Sequence, residues 1–137
     1  MTNTPDKMAT KKTILVVEDE KSLRSAIVDT LHLNAYLTLE AKNGQEAVDL
    51  ALLKHPDLIL LDLLMPVMDG MTAFNEIRKD AWGAHVPVII LTNLSATDEK
   101  LVNDMVADKP MYYLAKSDWK IHDVVGKVEE VLTAPRG

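Results

Sequence analysis

Short runs made only of apolar residues recur along this chain, separated by segments with helical periodicity. Ile14-Leu15-Val16-Val17, Leu58-Ile59-Leu60-Leu61 and Val86 to Leu91 around Pro87 are too short for helices and are rich in β-branched residues. A strand without a polar face has to be covered on both sides, and a parallel sheet flanked by helices does this. Tyr36 to Ala41 alternates instead, with Leu37, Leu39 and Ala41 on one side and Tyr36, Thr38 and Glu40 on the other. That pattern predicts a half-buried edge strand. Met111 to Ala115 is a fifth strand candidate.

The intervening segments carry apolar stripes. Leu23, Ala26, Ile27, Thr30 and Leu31 share one helical face, and Asn43 with Glu46 resembles a capping pair ahead of Ala47, Val48, Ala51 and Leu52. Met71, Phe74 and Ile77 mark a shorter helix, and Ser95 is placed to cap one that uses Leu101, Val102, Met105 and Val106. Ile121, Val124, Val125, Val128, Val131 and Leu132 form the clearest stripe. Five strands alternating with five helices predict a doubly wound α/β sandwich with right-handed crossovers. The 137 residues make one domain, which we expect over 13–133, between a polar tail at 1–12 and a short tail at 134–137.

Composition narrows the chemistry. With no cysteine, disulfides, zinc–thiolate sites and a cysteine nucleophile are excluded. A net charge of −6 argues against nucleic acid as partner, because phosphates need a basic face. No apolar run approaches the length of a membrane span, and the N-terminus has no apolar signal region, so a cytoplasmic protein is expected. The four histidines, His32, His55, His85 and His122, are scattered and suggest no metal site.

Ligands of such sandwiches bind outside the carboxyl ends of the strands, where the strand order switches. Glu18 and Asp19 follow strand 1, Asp62 ends strand 3, Thr92 ends strand 4 and Lys116 follows strand 5. Taken singly, each is an ordinary turn, cap or solvated residue. In the flavodoxin-like order 2-1-3-4-5, strands 1 and 3 are neighbours, which brings Glu18, Asp19 and Asp62 together. Three carboxylates at close range repel, and Lys116 offsets only one charge. Carboxylate and carbonyl oxygens suit a hard divalent ion, Mg²⁺ first, and Mg²⁺ on carboxylates serves phosphate chemistry. One carboxylate left over beside the ion can be a nucleophile, as in enzymes that form an aspartyl phosphate.

The motifs Ile-Leu-Val-Val-Glu18-Asp19-Glu20, Asp57-Leu-Ile-Leu-Leu-Asp62-Leu-Leu-Met-Pro66-Val-Met-Asp69-Gly70, Val88-Ile-Ile-Leu-Thr92 and Tyr113-Leu-Ala-Lys116 occur in that order. With them the chain resembles the receiver domains of two-component response regulators, from about Thr13 to Leu132, in the stand-alone style of the chemotaxis regulators. The resemblance implies that Asp62 accepts the phosphoryl group. It implies that Asp19 binds Mg²⁺ directly, Glu18 through water, and Leu64 through its backbone carbonyl. Thr92 matches the switch hydroxyl, Lys116 the family's lysine and Tyr113 the switch aromatic, while Gly70 is expected to supply a backbone conformation that other residues avoid. The implied donor is a sensor histidine kinase or a histidine phosphotransfer protein. The implied output is a protein target meeting the face formed by strand 4, the helix after it and strand 5, with the chain a monomer or a phosphorylation-linked dimer. No enzymatic activity is expected beyond its own phosphorylation and slow dephosphorylation.

The chain also departs from the family pattern. Asn93 stands where a small residue is usual after Thr92, which narrows access for donors. Leu64 and Leu94 are apolar at the two positions that tune dephosphorylation, so slow self-hydrolysis is expected. Ser117 replaces the usual proline after Lys116, and Lys109-Pro110 stands near the usual Gly-Ala. These features leave a second reading, a binding module of this fold that does not respond to phosphate. An aspartyl-phosphate hydrolase is disfavoured because Leu64 stands where its second acid belongs. A flavin carrier is disfavoured because Glu18, Asp19 and Glu20 would repel phosphate. Trp82 and Trp119 are expected to pack against neighbouring helices, with Trp119 a candidate partner contact.

Overall fold

The computed structural model describes residues 11–62, 68–92, 111–115 and 120–133, with backbone placement only for Thr92 and the 111–115 strand. In chain order the elements are β1 (Thr13–Val17), α1 (Lys21–Leu33), β2 (Leu37–Ala41), α2 (Gly44–Lys54), β3 (Leu58–Asp62), α3 (Gly70–Arg78), β4 (Val88–Thr92), β5 (Met111–Ala115) and α4 (Ile121–Thr133). The five strands form one parallel sheet in the order β2-β1-β3-β4-β5, as the sequence pattern predicts. Four of the five expected helices are seen. The one expected from Ser95 to Val106 lies outside the described residues.

The all-apolar strands are explained by what covers them. Alternate residues point to opposite faces of a strand. Leu15, Val17, Ile59, Leu61, Val88 and Ile90 pack under α2 and α3, against Ala47, Val48, Ala51, Ala73, Phe74 and Ile77. Ile14, Val16, Leu58, Leu60, Ile89 and Leu91 take the other face, under Ile27, Val28 and Leu31 of α1 and Val124, Val125, Val128 and Val131 of α4. Both faces are sealed, so the strands need no polar side.

Local chemistry sets the element ends. Asn43 caps α2 by accepting the Glu46 amide at 2.9 Å, while the Glu46 carboxylate reaches back to the Lys42 amide at 3.0 Å. Asp69 caps α3 by accepting the Thr72 amide at 2.8 Å. Pro87 cannot donate to the ladder, but its carbonyl accepts the Ile59 amide at 3.0 Å and leads the chain into β4. Arg78 lies 4.6 Å over the Phe74 ring and donates to the Gly83 and Val86 carbonyls, both at 2.7 Å, which braces the turn before β4. Trp82 packs against the core and stacks on His55, with ring centroids 4.4 Å apart.

Three expectations are corrected. Leu37 does not join Leu39 and Ala41 inside: it is 49% exposed, at the first position of the edge strand. Leu52 is 38% exposed, because the buried face of α2 centres on Ala47, Val48 and Ala51, with Leu50 at its flank. Gly70 takes no left-handed conformation: no described glycine has a positive φ, and Gly70 is the buried first residue of α3. Among the described residues the left-handed positions are Ala35 and His55.

Candidate functional site

β1 and β3 run side by side with Ile14 opposite Leu58 and Val17 opposite Leu61. Continuing that register one step sets Glu18 beside Asp62. On its other side the strand also runs on one residue past Val17, where the Glu18 amide donates to the Ala41 carbonyl of β2 at 3.0 Å. Both acids extend the side-chain rows that carry Ile14 and Val16 in β1 and Leu58 and Leu60 in β3, so they leave the same face of the sheet. Glu18 is 1% exposed and Asp62 2% exposed; Asp19, next in the chain, is open to solvent.

Each of these three residues offers a carboxylate oxygen within 4.8 Å of the others. At that separation and an effective dielectric near 20, a pair of like charges costs about 3 to 4 kcal/mol as an upper figure. Burying two of the three sharpens the conflict, since a buried charge needs compensation. The donor set is entirely hard oxygen, open to solvent on the Asp19 side, which matches Mg²⁺ held by a few carboxylates and its own waters. Among the described residues this is the one such cluster, and no histidine joins it.

The loop that carries Glu18 and Asp19 is tied at several points. The Glu18 carboxylate accepts the Glu20 amide at 3.1 Å. Arg24, in the first turn of α1, donates Nη1 to the Glu18 carbonyl at 2.8 Å and Nε to the Glu40 carboxylate at 3.2 Å. On the far side of the sheet, the Gly44 amide donates to the Met68 carbonyl at 3.0 Å, which docks the chain after β3 onto the start of α2.

Of the other expected site residues, Thr92 ends β4 with Ala115 of β5 as its register partner, and Tyr113 pairs with Ile90. Leu64, Lys116, Asn93, Leu94, Ser117, Lys109, Pro110 and Trp119 lie outside the described residues. The sequence reading overlooked Arg24. Its signal was an arginine five positions after Asp19, facing an acid on the edge strand.

Residues 14–128 match the family described as "Response regulator receiver domain". The chain belongs to this family. A receiver domain is therefore the frame in which the acidic cluster is read. The chain is 36% identical over 94 residues to a probable transcriptional regulator, ycf27, of Guillardia theta, covering 69% of this chain and 36% of that protein. It is 32% identical over 120 residues to the sensor histidine kinase TmoS of Ectopseudomonas mendocina, covering 88% of this chain and 12% of that protein. It thus spans about a third or less of these relatives. Among solved structures it resembles the receiver domain of the sensor histidine kinase PA1611 of Pseudomonas aeruginosa, with a TM-score of 0.75, 29% identity, and coverage of 91% of this chain and all of that one. That structure is described with a magnesium ion coordinated in its active-site cleft. No helix among the described residues is long and apolar enough to cross a membrane.

Proposed function

We propose that this receiver domain accepts a phosphoryl group on Asp62 from the phosphohistidine of a sensor kinase or phosphotransfer protein, and that the modification switches binding to a protein target. The observation that carries this is the convergence of Glu18, Asp19 and Asp62 within 4.8 Å, in a chain whose family is established. In the transfer, an Asp62 carboxylate oxygen forms the new bond to phosphorus as the phosphorus–nitrogen bond breaks. The imidazole leaves with that electron pair and regains a proton from solvent. The protein's part is positioning and charge, as in phosphoryl transfer generally.

Asp19 and Asp62 are the direct ligands assigned to Mg²⁺, with the Leu64 carbonyl, and Glu18 is assigned to a metal-bound water. When bound, the ion supplies positive charge against the phosphoryl oxygens. Lys116 and the Thr92 hydroxyl are assigned to those same oxygens. Thr92 and Tyr113 are assigned the readout, through the face around β4 and β5. PA1611 and TmoS are sensor histidine kinases that contain a stretch similar to this chain, which supports a histidine kinase as the donor.

The test is intact mass after incubation with acetyl phosphate or phosphoramidate and Mg²⁺, for wild type beside Asp62→Asn. One added phosphoryl group in wild type only, abolished by EDTA, supports the assignment. A folded, Mg²⁺-binding wild type that takes no phosphoryl group from either a small donor or a histidine kinase overturns it and leaves a phosphate-independent binding module.

A further inference from the structure

The cluster needs Glu18 and Asp19, two consecutive residues, to send one carboxylate inward and the other to the open side. The peptide between them must therefore be held in one orientation. Its carbonyl, that of Glu18, is gripped by Arg24 Nη1 at 2.8 Å. The grip is itself anchored: Arg24 Nε donates to Glu40 at 3.2 Å, and the Arg24 side chain is only 15% exposed. Glu40 sits in β2, beside Val16 in the register, so the arginine spans from the edge strand to the end of β1.

We propose that Arg24, held by Glu40, is a positioning residue for the Mg²⁺ site. It fixes the Glu18–Asp19 peptide and touches neither the ion nor the phosphoryl group. The inference rests on the functional reading given above. Groups that orient metal ligands typically contribute 10- to 100-fold in metal affinity when removed. A planar, two-handed guanidinium suits the task better than an ammonium, which offers a point charge without the fork.

The sign of the effect separates positioning from simple electrostatics. Arg24 is a cation close to a site for a cation. If it acted only through its charge, Arg24→Ala would tighten Mg²⁺ binding. Positioning predicts the reverse.

The experiment is Mg²⁺ titration by calorimetry or amide NMR on wild type, Arg24→Ala, Arg24→Lys and Glu40→Gln, with urea denaturation in EDTA alongside. Expected results are an affinity loss of about tenfold or more for Arg24→Ala and a smaller loss for Arg24→Lys and Glu40→Gln. The double variant Arg24→Ala/Glu40→Gln should bind no more weakly than Arg24→Ala, since Glu40 acts through the arginine. The Asp19 amide resonance should move in Arg24→Ala even without Mg²⁺. Equal or tighter Mg²⁺ binding in folded Arg24→Ala overturns the proposal, as does a double variant whose losses simply add. Should Arg24→Ala not fold, an unchanged affinity in both Arg24→Lys and Glu40→Gln overturns it equally. A wild type that does not bind Mg²⁺ refutes the functional reading instead, and the two failures are distinct.

Discussion

Replacing Asp62 by asparagine should stabilise the metal-free protein, although it destroys the proposed acceptor. Asp62 is 2% exposed, and its carboxylate lies within 4.8 Å of both Glu18 and Asp19. Two like-charged contacts disappear in the variant, each at an upper figure of about 3 to 4 kcal/mol at an effective dielectric near 20. The contact with Asp19 is discounted heavily, because that residue is exposed and solvent screens it. The contact with buried Glu18 is partly offset by whatever positive charge meets Asp62, the role expected of Lys116. A net gain of about 1 to 2 kcal/mol remains, or a melting temperature higher by about 3 to 8 °C for a domain of this size. Thermal unfolding in EDTA measures it directly. Mg²⁺ then reverses the ranking of responses. Wild type gains RT ln(1 + [L]/Kd), about 2.7 kcal/mol at 100 times Kd, and Asp62→Asn, short of one ligand, gains much less. A variant less stable than wild type in EDTA, or one stabilised equally by Mg²⁺, would refute the view that carboxylate repulsion dominates this site.

Four further outcomes follow from the same structure. A Cβ on Gly44 would sit 2.2 Å from the Met68 carbonyl oxygen, so Gly44→Ala should lose about 1 to 3 kcal/mol in urea denaturation; helix propensity alone would give a gain of about 1 kcal/mol. Removing the α2 cap with Asn43→Ala should cost about 1 kcal/mol by the same assay. Burial, with the nearby Glu129 carboxylate adding to it, raises the Tyr36 hydroxyl above the ordinary tyrosine range. The folded state therefore holds that proton more tightly, and the stabilisation is complete below about pH 10 and lost as pH climbs through the raised value; unfolding midpoints should fall less steeply between pH 9 and 11 in Tyr36→Phe. With a polar side chain able to orient water, Leu64→Asn should shorten the lifetime of the phosphorylated form, followed by phosphate release, and an unchanged lifetime would count against slow hydrolysis arising at that position.

The parallel sheet was legible because its strands have no polar face, a demand few architectures meet. The acidic cluster was legible because strand order plus register fixes which strand ends meet, and a carboxylate pair there has no bland purpose once Glu18 and Asp62 are adjacent. Side-chain detail at the margins was not. Leu37 and Leu52 read as core by periodicity, yet one opens the edge strand and the other lies off the buried face of α2, and a one-dimensional pattern carries no record of which positions a neighbour covers. Gly70 read as a special backbone position, whereas the left-handed conformations fall on Ala35 and His55, where a helix C-terminus rather than residue type dictates the geometry. Arg24 was invisible because its partners, a main-chain carbonyl and Glu40, lie six and sixteen residues away and meet only after β2 has paired with β1.

The direction of the strands has an architectural consequence. Every strand is parallel, so all carboxyl ends, and with them the acids, share one rim. The chain enters the sheet at Thr13 on the opposite rim, and α4 returns there, its residue Glu129 lying close enough to act on Tyr36 at the start of β2. Entrance and exit are thus both on the side away from the chemistry. A unit built this way can be joined to other sequence at either end without covering its reactive rim, much as a plug-in part exposes its contacts on one side and its mountings on the other. That layout is compatible with similar stretches lying within a probable transcriptional regulator of Guillardia theta and within a far longer sensor histidine kinase of Ectopseudomonas mendocina.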